Sequence, residues 1–276
     1  MTYRDQYNLL NSNSSRLDDS IIASKKQAAW AYFRNILVVP MRNLETNLYN
    51  QFNVSISQVR KIHGSNMVCF PGEDVTDIFV DEEMYKNNPR LVDILLQHEV
   101  LHGLSQKRGG FQYSFGHARQ MNELSYTGLD EAVTQMFTED IGNVRLTKEE
   151  DYLYFLTNIM RIFKVLFGVD LIADQYFNGD LSFEEKINEL TDFKFDLFAF
   201  AMNDIYDLSK KGFYDSLSVE EYDKLNKEKN KVIVFASALI EQFQNQGVKS
   251  IIAKEVSRKF LEQYGEELGI NNIKTY

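Results

Sequence analysis

Leu95-Leu96-Gln97-His98-Glu99-Val100-Leu101-His102-Gly103-Leu104 carries two of the chain's four histidines, inside a segment whose apolar residues recur at helical spacing. On a helix, residues four apart share one face. His98 and His102 can therefore aim their rings at one point, with Glu99 beside them and within reach of a water held there. Two imidazole ligands plus a carboxylate that takes a proton from water is the arrangement a zinc-dependent hydrolase needs. The plain alternative is a solvated helix face that matches the pattern by accident. Against it, Leu91, Ile94, Leu95, His98 and His102 fall on one stripe, which predicts that the histidines face the core. Buried ring nitrogens need partners, and a metal would supply one.

Outward from this stretch, Asn88 and Pro89 read as the N-cap and first residue of its helix, which the pattern carries to about Gln106, before Gly109-Gly110. Upstream, Val54-x-Ile56, Val59-x-x-Ile62, Met67 to Phe70 and Asp77 to Val80 read as short strands, with a turn at Pro71-Gly72. Earlier still, the spacing predicts a helix from about Asp19 to Asn35, a shorter one over Arg42 to Phe52, and a polar tail or strap over residues 1–17. Downstream, the stretch from Gly109 to Tyr126 reads as loop. Thr127 with Asp130 has the form of a capping box, so Asp130 and Glu131 belong to the first turn of another helix. Beyond Thr147 the pattern is helical almost throughout, with capping-box forms at Thr147/Glu150, Ser182/Glu185 and Ser218/Glu221 and stops at Gly168, Gly212, Gly247 and Gly269. The expected fold class is α+β and predominantly helical. A small sheet precedes the metal helix in an N-terminal mixed part (1–105), and a helical part (106–276) follows, the two forming lobes of one catalytic unit.

Composition narrows the function classes. A formal charge of −10 over 276 residues argues against nucleic acid, whose phosphates need a basic surface. Cys69 is the only cysteine, which excludes an intrachain disulfide and leaves no thiolate set for zinc. No signal-peptide pattern and no apolar run of membrane-spanning length is present, so a cytoplasmic location without an integral membrane segment is expected.

A catalytic zinc usually has three protein ligands and an open position. A histidine six residues after His102, with glycine midway, is one solution, but the positions hold Ser105 and Arg108. The other common solution is a downstream acid. Asp130, Glu131, Glu139, Glu123 and His117 are candidates. Here the chain resembles the gluzincins, the thermolysin-like zinc metallopeptidases, through His98-Glu99-x-x-His102 followed 29 residues later by Glu131 within Gly128-Leu129-Asp130-Glu131-Ala132-Val133-Thr134. The resemblance covers roughly residues 76–140 and includes the strand-like Ile78-Phe79-Val80. It implies a zincin-like fold and one Zn²⁺ per chain held by His98, His102 and Glu131. It also implies Glu99 as general base and peptides or proteins as substrates. Where the family carries an acid one turn after the ligand glutamate, this chain has Gln135, whose carbonyl can still accept from a zinc histidine. His117 and Tyr126, with Tyr113, are candidates to stabilise the carbonyl oxygen, and His63 reads as a turn histidine beside Gly64. Two other readings stay open: a zincin-like binding or structural module without catalysis, and a hydrolase of non-peptide amides.

Overall fold

The computed structural model describes residues 2–18, 20–37, 41–71, 75–105, 126–192, 194–245, 258 and 262. Along the chain the elements are α1 (Tyr3–Ser12), β1 (Ser15–Arg16), α2 (Ser20–Ile36), α3 (Arg42–Asn47), β2 (Gln51–Ser57), α4 (Val59–His63), β3 (Met67–Pro71), β4 (Val75–Asp81), α5 (Glu82–Asn87) and α6 (Pro89–Ser105). They continue with α7 (Thr127–Gly142), α8 (Tyr154–Phe167), α9 (Val169–Asn178), α10 (Ser182–Thr191), α11 (Phe195–Tyr214) and α12 (Val219–Asn245). The chain is mostly helical with one small mixed sheet, as the pattern predicts. Among the described residues, no helix is long and apolar enough to cross a membrane.

The sheet has order β1-β2-β4-β3. β2 runs parallel to β4 with Val54 opposite Ile78, whereas β3 pairs antiparallel with β4, placing Cys69 opposite Ile78. Side chains alternate across a strand, and β4 divides accordingly. Ile78 and Val80 join the main core on the α6 side, while Phe79 joins Leu10, Val59, Val68 and Phe70 under α1 and α4. The main core is continuous from Ile22 to Ile240, so strands and C-terminal helices share one apolar interior.

Several local expectations are corrected. Of the tail and strap readings for residues 1–17, the described residues fit the strap, and most of it is helical. Thr2 and Asp5 close a capping box on α1, and Leu10 is fully buried beneath it. The helix expected over Arg42 to Phe52 stops at Asn47, because Phe52 and Val54 are drawn into β2. Val59 to Ile62 is one turn of helix rather than strand, closed by Gly64 in the left-handed region. Gly212 lies within α11 instead of ending it. Ser182 does not cap α10, whose N-cap position is Leu181. The Pro71-Gly72 turn, the stretch from Gly109 to Tyr126, Gly247 and Gly269 lie wholly or partly outside the described residues.

α6 is the axis of the molecule. It starts as expected: Asn88 Oδ1 accepts from the Leu91 N–H at 3.2 Å and Pro89 opens the first turn. Its burial is not the single stripe predicted. Val92, Ile94, Leu96, Val100, Leu101 and Leu104 are all buried, while Leu91 and Leu95 are only half-buried. The reason is that α6 is enclosed between the sheet, α2, α3, α7 and α9. At Gly103 a Cβ would come within 2.4 Å of the Phe52 ring, so glycine lets the helix settle onto β2.

Candidate metal centre

α6 and α7 pack against each other and bring three side chains to one point. His98 Nε2 lies 3.0 Å from His102 Nε2 and 3.1 Å from Glu131 Oε2, and His102 Nε2 lies 3.6 Å from the same oxygen. These are the residues named from the sequence, and among the described residues they form a group able to hold a metal ion. A tetrahedral ion with bonds of about 2.0–2.1 Å to nitrogen and oxygen needs its ligand atoms about 3.3 Å apart. The observed separations bracket that value.

The outer faces of the two rings decide what the inner faces can be. His98 Nδ1 is 2.9 Å from Gln135 Oε1, a carbonyl that can only accept. His102 Nδ1 is 3.3 Å from Asp130 Oδ2, a carboxylate oxygen. Both Nδ1 atoms therefore carry a proton, so that the second nitrogen of each ring, Nε2, presents a lone pair unless the ring takes up a further proton. Two lone pairs and a carboxylate oxygen meet with no donor between them. Such a cluster needs a cation at its centre, either a proton on one ring or a metal ion.

The charge balance says the same. Burial works against a charged His102, but Glu131 and then Asp130 outweigh it and hold this imidazole well above its ordinary range. Burial alone would push the Glu131 carboxyl up, yet His102 and His98 reverse it and hold the group well below the usual carboxylate range. Glu99 is half-buried beside the ligands. Burial raises its pKa, the charge on His98 and His102 pulls against that, Glu131 adds to it and Lys210 pulls against it. The Cys69 thiol is pushed well up by burial, with Glu99 adding to the effect, and it is not among the three residues that converge.

The third-position alternatives are placed elsewhere. Asp130 supports His102 from behind and does not cap α7, whose Gly128 N–H donates instead to Asn203 Oδ1 at 2.8 Å. Glu139 is buried two turns beyond Glu131, where it accepts from Gln135 Nε2 at 3.1 Å and pairs with Arg161. His117, Tyr113 and Glu123 lie outside the described residues. Tyr126 is buried at the start of α7, with its hydroxyl donating to the Asp196 carboxylate and its ring against Phe195. His63 closes α4 and bonds Ser65 Oγ at 3.0 Å through Nδ1.

α11 brings residues that no motif indicated. The Met202 carbonyl would lie 2.3 Å from a Cβ at Gly128, so glycine allows α11 to approach the α7 terminus at backbone contact. One turn on, the Tyr206 hydroxyl accepts from Lys210 Nζ at 3.3 Å, and the Tyr206 ring lies 5.9 Å from that of Tyr152. Burial raises the Tyr206 pKa well above ordinary, with Glu131 and Glu99 contributing, and Lys210 acts on Glu99. Asp151 is also buried nearby, its carboxyl pushed up to about 7 by burial. A lysine and two tyrosines far from the motif in sequence carry no spacing signal that could have announced them. No protein family model, no curated protein and no solved structure matches this chain.

Proposed function

We propose that the chain is a zinc-dependent peptidase of gluzincin type, with a zincin-like arrangement of α6, α7 and the sheet. The observation that carries this reading is the meeting of three lone pairs at 3.0–3.6 Å directly beside a half-buried carboxylate, Glu99. His98, His102 and Glu131 would hold the ion, two imidazoles and one carboxylate being a donor set of catalytic rather than structural zinc. Zinc bound there supplies Lewis acidity, which acidifies water and polarises an amide carbonyl. Glu99, its pKa raised by burial, accepts the proton of the attacking water and returns it to the leaving amine. Tyr206, with Lys210 behind its hydroxyl, offers a donor to the carbonyl oxygen from the α11 wall.

A metal that only tied α6 to α7 would need no carboxylate at position 99, which favours the enzyme over a binding or structural module. A non-peptide amide would use the same groups and is separated by substrate alone. The test is elemental analysis of protein purified without chelator, joined to cleavage of a peptide library. Wild-type protein should carry zinc and cut peptides. Glu99→Gln should keep the zinc and lose about 10²- to 10⁴-fold in rate. Protein that neither carries nor takes up zinc rules the reading out. Zinc without cleavage of any peptide rules out the peptidase and leaves the module and the non-peptide amide hydrolase, and full activity in Glu99→Gln removes Glu99 as the base.

A further inference from the structure

Behind His98 runs a buried chain of polar groups in which each member dictates the next. We infer that Glu139, held by Arg161, is the positioning residue that sets the orientation of the Gln135 amide and through it the proton on His98; this rests on the metal reading above. Gln135 Oε1 lies 2.9 Å from His98 Nδ1, and Gln135 Nε2 lies 3.1 Å from Glu139 Oε1. The other carboxylate oxygen of Glu139 accepts from Arg161 Nη2, and Arg161 Nη1 donates to Asn158 Oδ1 at 2.6 Å. Gln135 and Glu139 are each 1% exposed, so water does not compete for these bonds.

The logic is one of donor and acceptor polarity. An amide is ambiguous, since either end can face a histidine, which can itself donate or accept through Nδ1. A carboxylate is not ambiguous, because it only accepts, and one oxygen of Glu139 faces Gln135 Nε2 while the other faces Arg161. Glu139 therefore draws the Gln135 NH₂ towards itself. The carbonyl is left facing His98, Nδ1 must donate, and Nε2 must present its lone pair to the ion. A glutamine that could turn freely would instead let His98 place its proton on Nε2, where it blocks the ligand position. His102 needs no such relay, because Asp130 faces its Nδ1 directly.

The test is zinc affinity by chelator competition, together with the His98 Nδ1–H proton resonance of the zinc-loaded protein. Glu139→Gln makes position 139 both donor and acceptor, so the amide at 135 loses its fixed sense. Affinity should fall about tenfold and the Nδ1–H resonance should broaden. Adding Gln135→Glu places an acceptor-only group against His98 again, and should restore affinity to within about threefold of wild type with a sharp resonance. A residue that only stabilised the fold would not be rescued by moving its carboxylate one turn back along α7. If Glu139→Gln fails to fold because Arg161 is left uncompensated, Glu139→Gln with Arg161→Met removes both charges, and the same loss and rescue are expected. Affinity in the 139 variant within twofold of wild type overturns the inference, as does a double variant no better than the single. Wild-type protein that takes up no zinc fails the metal reading itself.

Discussion

Two stretches of this chain share one local pattern and use it differently. Thr2-Tyr3-Arg4-Asp5 and Thr127-Gly128-Leu129-Asp130 both read as threonine with an acid three residues on. At the exposed start of α1 the rule is obeyed: Asp5 N–H donates to Thr2 Oγ1 at 3.2 Å and Asp5 Oδ2 accepts from the Thr2 N–H at 2.9 Å. At the buried start of α7 it is not. Asp130 turns to His102, Tyr126 takes the N-cap position, and the Gly128 N–H is satisfied by Asn203, 75 residues away. A capping box contributes on the order of 1 kcal/mol. A buried carboxylate facing an imidazole N–H has more to lose by letting go. Local rules hold where nothing stronger competes, and a break in one marks a place where side chains have other work.

The sharpest way to break this contrast is to remove the two adjacent acids of α7 separately. On the proposed zinc reading, Glu131→Ala deletes a ligand and should weaken zinc binding by about 10³-fold. Asp130→Ala deletes support behind His102 and should weaken it by about 10- to 100-fold. Chelator competition on both variants measures the pair. If Asp130 were only a capping acid, its removal would leave affinity unchanged, and equal losses for the two would reopen the assignment of the third ligand.

What was legible in the sequence follows the same division. The His98 and His102 pair was readable because its geometry is local: four residues of helix place the two rings together whatever surrounds them. The helix boundaries at Asn88-Pro89 and Gly168 were readable for the same reason. The resemblance pointed to Glu131, which lies 3.1 Å from His98 Nε2. Tyr206 and Lys210 were not readable, since only the packing of α11 on α7 brings them near Glu99 and Glu131. The misread elements were short or decided by tertiary burial. The 42–52 stretch has helical spacing, but Phe52 and Val54 gain more as strand residues in the core beside β4. Residues 1–17 look polar because most described residues of α1 face solvent; the helix is anchored by buried Leu10 and by Tyr7, whose ring packs against Phe70 and Phe79.

Glycine packing sharpens the comparison between α6 and α7. At Gly128 the obstacle to a Cβ is the Met202 backbone carbonyl at 2.3 Å, whereas at Gly103 it is the Phe52 ring at 2.4 Å. A carbonyl in a helix cannot move without moving α11, while a ring edge can tilt. Gly128→Ala should cost about 3 kcal/mol and Gly103→Ala about 1 kcal/mol, both within the range for overpacked cores. Urea denaturation of the metal-free protein checks the order, and a reversed order would mean that α7 and α11 are not locked at this contact.

Acidity tests the ligands of both helices at once. In the metal-free state His102 titrates well above its ordinary 6.5 because Glu131 and Asp130 outweigh burial. A raised imidazole stabilises the fold below the unfolded value, and that contribution is lost as pH rises through the folded value. From pH 6.5 upward, metal-free protein should therefore lose stability. Zinc binding at the proposed site would displace the same proton, so affinity should rise by up to about tenfold per pH unit over that range. Thermal melts with and without zinc at several pH values would show opposite slopes. Parallel slopes would mean that metal and proton do not compete for His102.

The smallest expected effect returns to the two helix starts. Thr2→Ala removes the side-chain cap of α1, which lies on the far side of the sheet from α6. It should lower Tm by about 2 °C and leave zinc affinity within about twofold. Asn203→Ala removes the group that caps α7 across helices, and α7 carries both Glu131 and Asp130. A comparable loss of Tm is expected there, but with weaker zinc binding, because the first turn of α7 sets where the two acids stand. Equal and negligible changes in affinity for the two variants would show that Asn203 only satisfies a backbone donor. A selective loss in Asn203→Ala would show that the long-range cap, in place of the local one, holds the ligand turn against α6.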